Sequence, residues 1–169
     1  EHTDLKEISA YLEPLRQGKN LGLMSEAGLP CVADPGAALV KLAQKEGFKV
    51  CPLIGPSSLL MSLMASGFNG QNFAFVGYLP IDKSQRIKKI KELETLAYKI
   101  SQTQIFIEAP YRNNQMFQAL KEVLSSNTML CLGVDIGLAT QQIITKSIQQ
   151  WKKITIDLNK RNTVFLIYK

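Results

Sequence analysis

The sequence predicts an α/β protein, and two observations carry that prediction. From Leu21 to Gly67, short apolar runs alternate with helix-period segments. Loop clusters rich in small residues and proline stand between them: Met24-Ser25-Glu26-Ala27-Gly28-Leu29-Pro30, Ala33-Asp34-Pro35-Gly36 and Gly55-Pro56-Ser57-Ser58. Strand, helix, strand, helix in such short order favours parallel βαβ pairing with a right-handed crossover. Ligands in such folds sit at loops outside the carboxyl ends of strands. The clusters therefore point to an enzyme domain that binds a small, nucleotide-like cofactor.

Taken in order, Asp4 caps a predicted helix that runs to about Gln17, with Leu5, Ile8, Leu12 and Leu15 on its apolar face and Gly18 at its end. Pro14 falls inside that pattern and should distort the last turn. Leu21–Met24 reads as a short buried strand. Ala38, Leu39, Leu42 and Ala43 mark the next helix, closed by Gly47, and Phe48–Pro52 the next strand. Ser57 or Ser58 then caps a helix with apolar positions Leu59, Leu60, Leu63 and Met64. The Gly/Asn-rich connector Ser66–Asn72 places a domain boundary, giving domains 1–70 and 71–169.

Beyond the connector, Phe73–Tyr78 reads as a strand stopped by Leu79-Pro80. Ile87, Ile90, Leu93, Ala97 and Ile100 mark the buried side of a long basic helix starting near Lys83. Ile105–Ile107 is a strand running into Glu108-Ala109-Pro110-Tyr111-Arg112. A helix follows with Met116, Phe117, Leu120 and Val123 inward. Met129–Val134, Ile143–Ser147 and Val164–Tyr168 read as three more strands.

Composition narrows the class. The chain has 169 residues, 46% hydrophobic and 20% charged, which is globular rather than disordered. No apolar run approaches the ~20 residues needed to span a bilayer. The first residues show no signal-peptide pattern. Three isolated cysteines, Cys31, Cys51 and Cys131, read as reduced thiols of a cytoplasmic protein. The single histidine, His2, argues against a His-based triad or a metal site. Net charge is +6, concentrated at Lys83, Arg86, Lys88, Lys89 and Lys91 and again at Lys152, Lys153, Lys160 and Arg161. That suits a nucleic-acid partner or a solvated helix face.

The loops carry the chemistry. Small residues at Ala27, Gly28, Ala33 and Gly36 let backbone approach a ligand closely. Asp34 either accepts from a ligand or caps the helix that follows. Gly55-Pro56-Ser57-Ser58 either offers helix N–H groups to an anion or carboxylate, or simply starts a helix. It is neither a Walker loop nor a dinucleotide fingerprint. Glu108 and Arg112, four apart, form a local ion pair or present a carboxylate to a ligand. Tyr78 and Tyr111 suit an adenine ring or rim packing, and Trp151 reads as an anchor for the C-terminal layer.

Together these motifs resemble the tetrapyrrole (corrin/porphyrin) methylase superfamily, and within it the branch that methylates a ribose 2′-hydroxyl of small-subunit ribosomal RNA. That branch carries Ser-Asp-Ala-Gly-Thr-Pro and Asp-Pro-Gly, matched here by Ser25–Pro30 and Asp34–Gly36. Its Gly-Pro-Ser-Ala is matched by Gly55–Ser58, its Gly-Phe-Leu-Pro by Gly77–Pro80, and its Phe-Glu-Ser/Ala-Pro-His-Arg by Ile107–Arg112. Order and spacing agree from about Gly18 to Leu124.

The resemblance implies a two-domain α/β enzyme, with a mostly parallel sheet in the first domain and a mixed sheet in the second. It implies S-adenosylmethionine as cofactor, no metal, and a homodimer. By position, Ala27, Gly28, Leu29, Asp34, Ser57, Ser58, Glu108 and Ala109 would bind the cofactor. Lys83, Arg86 and Arg112 would face the substrate, and Asp34, Glu108 and Asp135 are candidate general bases. Three departures stand out. The family's first strand and its Thr-Pro-Ile-Gly-Asn-like loop have no counterpart, so a truncated chain is expected. Glu26 and Leu29 replace Asp and Thr. The branch's Arg-Glu-Leu-Thr-Lys becomes Val134-Asp135-Ile136-Gly137-Leu138, which keeps the acid and loses both cations. The expected function is ribosomal RNA 2′-O-methylation. The alternatives are methylation of a corrin or porphyrin, or a cofactor-binding paralogue without methyl transfer.

Overall fold

The computed structural model describes residues 5–169, so the expected Asp4 cap and His2 lie outside the described residues. The chain divides into two compact units, Glu1–Ser57 and Ser58–Lys169. The division falls ahead of the connector at Ser66–Asn72, because the helix before that connector packs on the sheet of the second unit.

The first unit holds α1 (Leu5–Ala10), α2 (Glu13–Arg16) and α3 (Ala37–Lys45). The single helix expected up to Gln17 is broken at Tyr11–Leu12. Pro14 cannot donate to the carbonyl four residues back, and its ring clashes there. The helix restarts with proline in its first turn, where the missing N–H is harmless. Arg16 ties the pieces together: it donates through Nε (3.0 Å) and Nη2 (2.7 Å) to the Glu46 carboxylate and through Nη1 to the Ser9 carbonyl at 3.0 Å. The Arg16 hydrogen bond holds the Glu46 carboxyl below its usual range. Leu21–Met24 and Phe48–Pro52, expected as strands of a parallel sheet, join no ladder among the described residues. A strand exists only where another pairs with it, and no described segment supplies that partner.

The second unit is a five-stranded mixed sheet in the order β1-β2-β5-β3-β4. The strands are β1 (Phe73–Tyr78), β2 (Thr103–Ile107), β3 (Met129–Val134), β4 (Gln142–Ser147) and β5 (Thr163–Tyr168). β1 and β2 are parallel, and every other pairing is antiparallel. Side chains alternate between faces, as the pleat requires. Phe106, Leu130, Leu132, Phe165 and Ile167 enter the large core, whereas Ile105, Cys131, Val164 and Leu166 form a second cluster with Leu63. Burial pushes the Cys131 thiol pKa up.

Helix α4 (Ser58–Ser66) contributes Leu63 to that smaller cluster. Its inward residues are Ser62, Leu63 and Ser66, while Leu60 and Met64 are exposed. Small side chains face the sheet because α4 crosses Gly133 at close range: a Cβ there would lie 2.1 Å from Ser62 Oγ.

On the other core lie α5 (Lys83–Lys99), α6 (Asn113–Val123) and α7 (Ile148–Trp151). Asp82 caps α5 by accepting from the Gln85 N–H at 2.9 Å, a bond that lowers its carboxyl pKa. Arg86, Ile90, Leu93 and Ala97 form the buried stripe of α5. Ile87 is only half-buried and Ile100 is 47% exposed, so the stripe is rotated from the expected one. The rotation puts Arg86 inside, where its Nη1 donates to the Ile81 carbonyl at 3.1 Å. No helix among the described residues is long and apolar enough to cross a membrane.

Candidate functional site

The sheet registers gather three sequence motifs at one edge. β5 runs antiparallel to both β2 and β3, and β1 is parallel to β2, so β1, β2 and β3 all point the same way. Tyr78 is level with Ile107, Ile107 with Val164, and Val134 with Thr163. Tyr78, Glu108 and Asp135 thus stand at the carboxyl ends of β1, β2 and β3. With neighbouring strands about 4.8 Å apart, the three fall within roughly 15 Å of one another along that edge.

The start of α4 reaches the same edge. Ser62 sits on Gly133, and one turn later the Ser66 carbonyl accepts from Thr145 Oγ1 at 2.9 Å, where Thr145 is the register partner of Cys131. Four residues of helix rise about 6 Å, and two residues of strand about 6.6 Å. Helix α4 therefore runs opposite to β3, and Ser58, one turn before Ser62, lies level with Asp135. The start of α4 brings the positive end of the helix dipole to the strand ends.

Each carboxylate at this edge is held by a guanidinium. The Glu108 side chain is 1% exposed, and its Oε1 accepts from Arg112 Nη2 at 2.7 Å and from the Ala109 N–H at 2.7 Å. Arg112 also donates to Tyr111 Oη at 3.1 Å, and its guanidinium carbon lies 5.1 Å from the centre of that ring. The Glu108 hydrogen bond raises the Arg112 pKa still further. Tyr111 is 66% exposed and Tyr78 57%. Both are exposed at this edge.

Asp135 adopts a left-handed backbone (φ 51°) immediately after β3. Its Oδ2 accepts from Arg161 Nε at 2.8 Å and from Thr140 Oγ1 at 3.0 Å, and Arg161 Nη2 lies 2.7 Å away. Arg161 Nη2 donates again to the Thr140 carbonyl at 2.9 Å. A non-glycine residue in the left-handed region signals a conformation imposed by its surroundings, and these bonds supply them. Sequence reasoning placed Asp135 and counted Arg161 among the C-terminal cations, but it did not pair the two and gave no role to Thr140. The Asp135–Arg161 bond joins residues 26 apart, and no local spacing announces it.

In the first unit, the loop from Ser25 to Gly36 carries Gly28, Cys31 and Ala33 at φ 74°, 68° and 56°. The Ser25 hydroxyl donates to the Ala27 carbonyl at 2.7 Å. Asp34 Oδ1 accepts from the N–H groups of Cys31 (3.4 Å) and Gly36 (3.3 Å). Asp34 thus braces its own loop; the helix that follows has Gly36 at its N-cap with no side-chain cap hydrogen bond, so the expected Asp34 cap is not formed. A Cβ on Gly55 would lie 3.3 Å from Leu29 Cδ2, so the Gly55-Pro56 loop packs against the Leu29 loop. Ala27 and Gly28 are exposed, and a Cβ on Gly28 would meet nothing within 4 Å. That leaves open space for a ligand beside Gly28, while the Ala27 N–H (3.2 Å) and carbonyl are both engaged by Ser25 Oγ. Ser57 is buried.

The expected substrate-facing cations differ in their surroundings. Lys83 is exposed, Arg86 is buried on the Ile81 carbonyl, and Arg112 is paired with Glu108. A groove of about 670 Å³ lined by Glu94, Tyr98, Lys99 and Ser125 lies beside the start of β3, at the opposite edge from the three motifs.

No protein-family model matches the chain. Among proteins of known name, the chain is 38% identical over 157 residues to the ribosomal RNA small subunit methyltransferase I of Bacillus subtilis, an alignment covering 92% of this chain and 49% of that protein. It is 32% identical over 136 residues to the protein of the same name from Vibrio cholerae, covering 80% of this chain and 46% of the other. The chain thus spans about half the length of the relatives it matches. Among solved structures it resembles the methyltransferase CobJ, with a TM-score of 0.65, 17% identity, and coverage of 99% of this chain and 72% of that one. It also resembles a uroporphyrin-III C-methyltransferase of Thermus thermophilus complexed with S-adenyl homocysteine, with a TM-score of 0.54, 12% identity, and coverage of 98% and 74%. The α/β class and the mixed sheet of the second unit agree with the sequence reading. By sequence the chain is a homologue of the ribosomal RNA small subunit methyltransferase I proteins, and its fold is that of the tetrapyrrole methylases.

Proposed function

We propose that this chain works in an S-adenosylmethionine-dependent methyltransferase that modifies a ribose 2′-hydroxyl of small-subunit ribosomal RNA. The observation that carries the proposal is the 38% identity over 92% of the chain to a small-subunit ribosomal RNA methyltransferase. The solved neighbour with S-adenyl homocysteine supports the cofactor class. The exposed backbone at Gly28, with open space around it, fits a ligand that must be approached by main chain.

In this reading Ala27, Gly28, Leu29, Ser57, Ser58, Glu108 and Ala109 bind the cofactor. S-adenosylmethionine supplies an electrophilic methyl group on a sulfonium. With the cofactor held there, these residues would align its sulfur–methyl bond with a ribose oxygen, so that the C–S bond would break as an O–C bond formed and the hydroxyl proton would leave to base or solvent. The protein contributes alignment and exclusion of water. The sulfonium charge disappears in the transition state, so a bare carboxylate beside it would favour the ground state and slow the reaction. The pairing of Glu108 with Arg112 and of Asp135 with Arg161 suits that requirement. It also leaves neither group as an unencumbered base, and Asp34 is committed to its loop.

A corrin or porphyrin substrate is the second reading, favoured by the absence of Lys and Arg from Val134 to Gln141. A cofactor-binding paralogue without methyl transfer is the third. A homodimer acting in the cytoplasm completes the proposal. Calorimetric titration of the chain with S-adenosylmethionine and S-adenosylhomocysteine tests the cofactor assignment. Saturable heat with both is expected, weakened by Gly28→Val, and the absence of heat with either overturns the assignment.

A further inference from the structure

Arg161 is the most thoroughly fixed cation at the sheet edge. Its Nε and Nη2 are committed to Asp135 and to the Thr140 carbonyl. Its own carbonyl accepts from Asn113 Nδ2 at 2.6 Å and from Thr163 Oγ1 at 3.1 Å. A guanidinium has five N–H donors in a rigid fork. The two on Nη1 have no partner among the described residues, and the side chain is 25% exposed. The buried half of Arg161 therefore sets the aim of the solvent-facing half. Holding a long side chain in this way removes in advance the rotamer entropy that a free surface lysine loses on binding.

The surroundings select the ligand. The segment from Val134 to Gln141 contains neither lysine nor arginine, so Arg161 is the cation that serves that loop. Lys160, next to it, is exposed, and on the far side of β5 stands Arg112 with the exposed ring of Tyr111. A fixed guanidinium with an unpaired Nη1, a neighbouring lysine and an aromatic face one strand away match a polyanion that also carries stacking surfaces. Single-stranded RNA has both.

We propose that Arg161 is a substrate-binding residue that takes a backbone phosphate of single-stranded RNA through Nη1, with Asp135 as the positioning residue that aims it. The inference rests on the RNA reading above and names a contact that sequence spacing does not reveal.

Fluorescence anisotropy with a fluorescein-labelled single-stranded oligoribonucleotide, from about 50 to about 200 mM salt, tests it on the chain itself. The informative variant is the double substitution R161Q/D135N. It removes one charge of each sign, so net charge is unchanged, and a Gln–Asn pair can replace the ion pair. One lost phosphate contact to single-stranded RNA should flatten the slope of log K against log salt by about 0.7. Affinity should fall by about tenfold. R161K, which keeps the charge, should hold most of the slope while losing affinity. A variant that melts near the wild type and shows an unchanged slope overturns the proposal and leaves Arg161 as a staple of the loop. If R161Q/D135N does not fold, R161K decides alone: unchanged affinity overturns the phosphate contact, and reduced affinity at retained slope upholds it. If the wild type binds RNA not at all, or without salt dependence, the RNA reading itself fails, and that outcome is distinct from either.

Discussion

Trp151→Ala lowers the stability of the second unit by about 3–5 kcal/mol. Trp151 is fully buried, and its ring meets Phe117 edge-on at 5.3 Å and 85°. Its Nε1 donates to the Leu130 carbonyl at 2.8 Å. Truncation opens a cavity between α6, α7 and the sheet, and it strips that carbonyl of its side-chain donor. The Ser147 capping box that starts α7 fixes the backbone on which the indole hangs, so the site has little freedom to collapse. Urea unfolding should show a lower midpoint at an unchanged slope. Trp151→Phe should recover much of the loss, because it restores volume and the aromatic contact without the hydrogen bond. A loss below about 1 kcal/mol for the alanine variant would contradict the packing described.

Gly133→Ala is the second large effect, at about 1–3 kcal/mol, and it reaches the candidate site. The new Cβ would stand 2.1 Å from Ser62 Oγ and 2.8 Å from Ser62 Cβ. Oγ can rotate away, but Cβ moves only with the helix. Relief therefore requires α4 to lift from β3, carrying Ser58 away from the level of Asp135. Cofactor affinity should fall together with melting temperature. Ser62→Gly placed in the same chain should restore both. Ser62→Ala alone should be close to neutral, because the buried Ser62 Oγ has no hydrogen-bond partner and its removal breaks nothing. If Gly133→Ala is tolerated without loss, α4 does not lie against β3 as described.

These two positions illustrate which features are legible in a sequence. Trp151 is readable as an anchor because a lone large aromatic near apolar strands has few other uses. The strands at Phe73–Tyr78 and Met129–Val134 and the inward face of α6 follow from local periodicity, and the structure returns them with nearly the same ends. The Glu108–Arg112 pair is likewise local, since four residues of separation bring the two heads together. The orientation of α4 is not local. Apolar content points to Leu60 and Met64, yet the sheet selects Ser62 and Ser66, because Gly133, distant in sequence, admits only a small neighbour. On α5, the same kind of override buries Arg86 and turns Ile87 toward the rim.

The site divides in the same way. Asp34, Glu108 and Asp135 are recognisable from loop motifs, but what each one accepts from depends on contacts that spacing cannot supply. Asp135 and Arg161 meet because β3 and β5 are neighbours in the sheet. That adjacency is a property of strand order and leaves no trace in local sequence. Leu21–Met24 and Phe48–Pro52 show the converse: their apolar runs have strand character, but without a pairing partner among the described residues neither becomes a strand.

The most direct test of the account is methyl transfer. The chain is incubated with small ribosomal subunits and S-adenosylmethionine labelled in its methyl group, and the RNA is then hydrolysed in alkali. The account predicts label in an alkali-resistant dinucleotide, because a methylated 2′-oxygen cannot attack the adjacent phosphate, and it predicts that Gly133→Ala diminishes the label. Label transferred instead to a porphyrin or corrin, or no transfer to RNA by a chain that binds the cofactor, would contradict it.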